Sequence, residues 1–190
     1  MLPPVSRVER PDENRRVTRD ATPPPTARLR FRAMDPADLD DLAALLGDPQ
    51  VMAYYPAPKT RAEAAAWIAW NEENYARYGH GLWIVETHDG AFVGDCGLTW
   101  QRVGGELRLE VGYHVRRALQ GRGYATEAAA ACRDAARDVL GADELVAIVH
   151  PDNAASLRVA EKLGMRHVAD DTTGAVPVRT VMGMELRPLP

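Results

Sequence analysis

A mixed α/β fold is predicted by three features of the sequence: strand-like runs divided by short glycine turns, a long alanine-rich helix after them, and the unbroken apolar run Leu145-Val-Ala-Ile-Val149. Asp89-Gly90 and Gly104-Gly105 permit the left-handed backbone of tight hairpins, so the runs around them form an antiparallel meander. An apolar run without polar alternation reads as a strand covered on both faces. With a helix as the crossover, that strand lies parallel to the one ending near Arg116.

Residues 1–27 mix charges with Pro3, Pro4, Pro11 and Pro23-Pro24-Pro25 and lack apolar periodicity, so they are expected to be a disordered extension to a domain over 28–190. Leu29 and Phe31 begin a short strand. Asp35-Pro36-Ala-Asp38 then supplies an N-cap, a first-turn proline and an early acidic residue for a helix whose apolar face is Leu39, Leu42, Leu45 and Leu46. Gly47 and Pro49 stop it, and Met52 to Pro58, with two tyrosines and two prolines, suits a covering loop. Thr60 caps a second helix to about Tyr78. Strands follow at Leu82 to Thr87, Ala91 to Trp100 and Glu106 to Arg116, then the alanine-rich helix from about Arg122 to Leu140. After Leu145 to Val149 come a helix from about Asn153 to Leu163 and strands near Arg166 to Ala169 and Val178 to Leu186.

The 190 residues suit one domain with a core of its own, and a net charge of −4 gives no footprint for nucleic acid. Cys96 and Cys132 lack metal-ligand spacing and read as small buried hydrophobes. The five histidines, at 80, 88, 114, 150 and 167, lack the i, i+4 pairing that puts two ligands on one helix face, so no metal is expected. Neither a membrane-length apolar segment nor an export signal is visible, which predicts a cytoplasmic protein, monomeric or homodimeric.

The chemistry is expected at Arg116-Arg-Ala-Leu-Gln120-Gly121-Arg122-Gly123-Tyr124-Ala125-Thr126-Glu127, where a strand turns into a helix. Its glycines let several N–H groups converge, the helix dipole adds roughly half a positive charge, and the arginines can bond an anion, so pyrophosphate is the natural ligand. A glycine-rich turn without a ligand is the alternative. The dinucleotide fingerprint is broken by Thr126, and Lys59 and Lys162, the only lysines, leave no place for a Walker loop.

Gln120-Gly-Arg-Gly123-Tyr-Ala125 resembles the Q/R-x-x-G-x-G/A pyrophosphate signature of the GNAT superfamily of N-acetyltransferases. Glu110-Val-Gly-Tyr113 is similar to that family's fourth strand, and His150-Pro-Asp-Asn153-Ala-Ala-Ser156 to Lys162-Leu-Gly-Met165 to its N-x-x-S/A helix and closing turn. With Gly81-Leu-Trp83 and Val93-Gly-Asp-Cys-Gly97-Leu, the likeness is greatest to the branch containing ribosomal-protein N-terminal acetyltransferases. It implies a seven-stranded mixed sheet flanked by about four helices, with strands four and five splayed. Acetyl-CoA would lie along Val115, with Gln120, Gly121, Arg122, Gly123, Tyr124, Ala125, Thr126 and Asn153 as further contacts. The acceptor, a small-molecule amine or a protein N-terminus, would enter under Tyr54 and Tyr55.

In much of the superfamily a tyrosine seven residues after the Asn153 position protonates the leaving sulfur; here that position is Ala160. Ser156 is the candidate acid in its place, or else a first-turn residue bonding the backbone. Glu110 is the candidate base, since alternation sets it with Gly112 and His114 on the face opposite Leu109, Val111 and Tyr113; a solvated strand carboxylate is the other reading. His114 is a further candidate base. The missing tyrosine also leaves open a catalytically silent acyl-CoA sensor, and transfer of a longer acyl group is a second enzymatic alternative.

Overall fold

The computed structural model describes residues 19–173 and 178–187. Along the chain run β1 (Leu29–Arg32), α1 (Leu39–Leu46), α2 (Arg61–Tyr78), β2 (Leu82–Thr87), β3 (Phe92–Val103), β4 (Glu106–Val115), α3 (Tyr124–Ala135), β5 (Glu144–Val149), α4 (Ala154–Lys162), β6 (Arg166–Asp171) and β7 (Arg179–Glu185). The strands form one sheet in the order β1-β2-β3-β4-β5-β7-β6. Every neighbouring pair is antiparallel except β4 and β5, which run parallel and register at Glu110↔Val146. β4 continues to Val115 beyond that point, and the two strands part there as expected.

Alternation along β2 explains the layering. Trp83 and Val85 face the core beneath α3, while Leu82 and Ile84 face the core that α1 and α2 close with Leu42, Leu45 and Ile68. The sheet is therefore covered on both faces at its centre. Gly104 and Gly105, with φ of 56° and 89°, turn β3 into β4 within two residues. β3 consequently runs to Val103, three residues past its expected end.

Helix ends follow local chemistry. Thr60 and Glu63 exchange side chain-to-backbone bonds in a capping box at α2, and Gly79 ends that helix in the left-handed region at φ 73°. Asp35 and Asp38 make a similar box, but around a 3-10 turn (Pro36–Asp38) that precedes α1. The alanine-rich helix starts at Tyr124 because Gly123, at φ 83°, is still left-handed. Its last turn, Ala136–Leu140, widens to a π-helix. Among the described residues, no helix is long and apolar enough to cross a membrane.

The expected boundary at residue 28 needs correction. Residues 1–18 lie outside the described residues, but 19–27 lie against the domain. Ala21 is fully buried and its N–H donates to the Gly79 carbonyl at 2.9 Å; the Thr26 hydroxyl donates to Glu127 at 2.6 Å. Sequence patterning missed this because the anchors are one small side chain and polar bonds, not an apolar stripe. A chain starting at residue 28 is expected to be less stable than one starting at 19 by about 2 kcal/mol, from lost burial and hydrogen bonds of about 1 kcal/mol each. Thermal melts of the two truncations check this, and coincident curves would show that the segment contributes nothing.

Candidate active site

Where β4 ends, a short 3-10 turn (Arg117–Leu119) leads into Gln120-Gly-Arg-Gly123, and Gly121 and Gly123 both take left-handed φ, 75° and 83°. The turn delivers the chain to the start of α3, where the N–H groups of Tyr124, Ala125 and Thr126 have no carbonyl ahead of them in the helix. Gln120 Nε2 donates to the Val115 carbonyl at 3.0 Å, tying the turn back to the strand.

Arg28 holds the turn from the other side. Its guanidinium lies 4.6 Å from the centre of the Tyr124 ring, donates to the Arg122 carbonyl at 3.0 Å, and pairs with Glu127 at 2.6 Å. A cleft of about 630 Å³ runs from this turn toward α4. Of the residues expected to contact a cofactor, Val115, Gln120, Gly121, Gly123, Tyr124, Ala125, Thr126 and Asn153 line it. Arg122 does not: its carbonyl is engaged by Arg28, and the cleft takes its positive charge from Arg117, Arg158 and Lys162 instead. The sequence gives Arg158 and Lys162 only as helix positions, and their direction follows from how α4 lies on the sheet.

A second, smaller cleft of about 140 Å³ opens on the opposite face of β4. The two adjoin at Tyr54, Tyr55, Tyr113, His114, Asn153 and Ser156, which line both. Glu110 lies in the smaller one, partly exposed to the cleft, with the Thr99 hydroxyl 3.5 Å away and the Ile148 N–H bonded to its carboxylate. Loss of solvent is the main influence, and it pushes the Glu110 carboxyl up to about 7 against the pull of these bonds and of Arg179. Glu110 is thus not a solvated strand carboxylate.

His114 is committed elsewhere. Its Nδ1 meets Asp95 Oδ1 at 2.7 Å, its backbone N–H donates to the same oxygen at 3.1 Å, and its Nε2 meets the Tyr55 hydroxyl at 2.8 Å. A carboxylate only accepts, so Nδ1 donates to Asp95, and Nε2 is engaged by the Tyr55 hydroxyl. Trp67 Nε1 donates to the other Asp95 oxygen at 3.1 Å, completing a hydrogen-bonded chain that centres on the buried Asp95 and His114 and reaches the covering loop. Burial pushes the Tyr55 hydroxyl above the usual phenol range, which keeps it a donor.

Asp95 was not among the expected site residues, yet its place was readable. A two-residue Gly104-Gly105 turn pairs Val103 with Glu106, and counting back along that register pairs Thr99 with Glu110 and Asp95 with His114. Trp67 and Trp70 of α2 also line the smaller cleft with Tyr54 and Tyr55.

Ser156 is set by the first turn of α4, where Asn153 Oδ1 caps its N–H at 3.1 Å. The Tyr113 hydroxyl donates to the Ser156 carbonyl at 3.1 Å, so β4 and α4 are bridged across the gap where β4 and β5 part. Ala160, at the family's usual tyrosine position, is fully buried in the core, and a phenol there would have no room without repacking.

A parted β4/β5 pair with a glycine-rich turn at the mouth of the gap and a second cleft adjoining it is the arrangement that the sequence resemblance implies. The chain matches the acetyltransferase (GNAT) domain family over residues 28–166 and belongs to that family. It is 40% identical over 144 residues, 75% of this chain and 84% of the relative, to the uncharacterised protein YkkB of Bacillus subtilis. An acetyltransferase from Agrobacterium tumefaciens superposes with a TM-score of 0.73 at 25% identity, covering 93% of this chain and 99% of that one. RimJ of Mycobacterium smegmatis, solved with a CoA disulfide, superposes with a TM-score of 0.69 at 19% identity, covering 88% of this chain and 90% of that one.

Proposed function

We propose that the protein is an N-acetyltransferase that passes an acetyl group from acetyl-CoA to a primary amine, of a small molecule or a protein N-terminus, by direct attack in a ternary complex. The observation that carries the reading is Glu110: a carboxylate pushed up to about 7, in a small cleft that meets the larger one where β4 and β5 part. A base with that affinity for protons can take one from an ammonium group near neutral pH.

In this reading the turn at Gly121 to Thr126 holds the pyrophosphate, and Arg117, Arg158 and Lys162 supply further positive charge. The strand groups near Val115 direct the pantetheine into the gap. Glu110 accepts the amine proton, the nitrogen bonds to the thioester carbon, and the carbon–sulfur bond breaks. Ser156, at the junction of the clefts, gives a proton to the leaving sulfur. Holding amine and thioester in an attack pose supplies several kcal/mol of the barrier in the manner of other proximity effects.

The test is incubation of amines with acetyl-CoA, followed by mass spectrometry. Gain of one acetyl group by an amine with release of CoA is expected; CoA binding with no acetylated product from a broad panel would leave only the sensor reading. Ser156→Ala is expected to lower kcat by about 100-fold with a smaller effect on the KM for acetyl-CoA. A fall of about 1 kcal/mol in stability with kcat intact would instead mark Ser156 as a first-turn helix residue.

A further inference from the structure

We propose that the acceptor carries a carboxylate as well as its amine, and that Arg179 receives that carboxylate. The inference rests on the acetyltransferase reading and deepens it.

The sheet order brings β7 against β5, with Val181 opposite Ile148 and Thr180 opposite Val149. Val181 packs with Val146 and Ile148, and Arg179, two residues before Val181, shares its face. Because Glu110 registers with Val146, Arg179 and Glu110 come to one side of the sheet, and both line the smaller cleft. Glu110 is the only carboxylate and Arg179 the only guanidinium among the described residues lining it.

Asp171 sets the guanidinium in place. One oxygen of this fully buried side chain accepts from the Thr173 N–H at 3.0 Å and hydroxyl at 2.6 Å, and the other accepts from Arg179 Nη2. A guanidinium has five N–H donors. Asp171 uses one nitrogen, and Nε is buried with no acceptor, so the pair leaves charge-assisted donors unmet.

A zwitterion is the complement: its ammonium meets Glu110 and its carboxylate meets Arg179. A polyamine would instead set a second ammonium against Arg179, which selects against it. The cleft that holds Glu110 and Arg179 is small, about 140 Å³ against about 630 Å³ for the larger one, which favours a compact acceptor.

The test compares α-, β- and γ-amino acids with their carboxamides on wild-type protein saturated with CoA or acetyl-CoA. Binding is read from the fluorescence of Trp67 and Trp70 on the cleft wall, and transfer from mass spectrometry. We expect at least one acid to be favoured over its amide by about 10-fold or more, in binding and in kcat/KM, as a charge-assisted bond would give. The double variant Arg179→Met/Asp171→Asn, which removes both charges, should bring that ratio close to one; Arg179→Gln serves if the double variant does not fold. Equal binding and rates for acid and amide in the wild type would overturn the inference, as would a preference that survives in a folded variant. Acetylation of amides alone would sink it while leaving the acetyltransferase reading intact. Acid-selective binding without any transfer would do the reverse.

Discussion

Glu110→Gln is expected to lower kcat at neutral pH by about 100-fold or more, the usual cost of removing a positioned base, with little change in acetyl-CoA affinity. The amide keeps the shape of the side chain but cannot accept the proton. In the wild type, kcat/KM should rise with pH through about 7, as the Glu110 carboxyl ionises. In the variant that inflection should vanish, and the residual rate should climb at higher pH as the amine deprotonates unaided. Steady-state kinetics across pH, with circular dichroism to confirm folding, read both effects. A variant with near-wild-type kcat and the same inflection would place the proton transfer elsewhere, with water the natural carrier.

The same substitution should act on stability in the opposite direction. The folded value of about 7 lies above the ordinary 4.5, so between them the folded chain holds a proton that the unfolded chain has lost. Stability from this group therefore falls as pH rises across that window. Glu110→Gln should melt above the wild type at neutral pH, with the difference shrinking toward pH 4.5. A better-folded and slower variant would show that the site holds its base at a cost to the fold.

Gly123→Val is expected to weaken CoA binding by about 100-fold or more, enough to remove the calorimetric signal at micromolar concentrations. Gly123 stands at φ 83°, and a Cβ there would lie 3.4 Å from the Arg28 guanidinium. A branched residue strains the turn by about 1–3 kcal/mol and sets two methyls beside the N–H groups that face the cleft. Gly104→Ala is the control, since Gly104 is also left-handed, at φ 56°, and has open space around it. It should lose comparable stability and keep full affinity. Retained binding by a folded Gly123→Val protein would put the phosphate site elsewhere.

Much of the fold was legible because its signals are local. The capping residues at Asp35 and Thr60, the paired glycines at 104 and 105, and the alternation along Glu106 to Val115 each act within a few residues. The glycine-rich turn into α3 was legible for the same reason. Arg179 was not, because its position depends on β7 entering between β5 and β6, a choice made by the whole sheet. Arg122 is not among the residues lining the larger cleft, and Arg28, 94 positions earlier, engages its carbonyl, a contact no local pattern announces. Asp95 falls between these cases: a local turn fixes its partner, but only register counting through the hairpin reveals it.

Small side chains on α3 have a mechanical consequence. Ala128, Ala129, Cys132 and Ala135 are all buried, so the helix axis rests close to the strands. A helix moves as a rod, and close-packed cores pass on displacement. An added methylene beneath the middle of α3 would act as a wedge, lifting the helix where it rests and loading the Arg28 and Thr26 bonds to Glu127 that hold its first turn. That turn is the one facing the larger cleft, so a volume change at Cys132, far along the helix from it, would be felt as misaligned N–H donors at Tyr124 to Thr126.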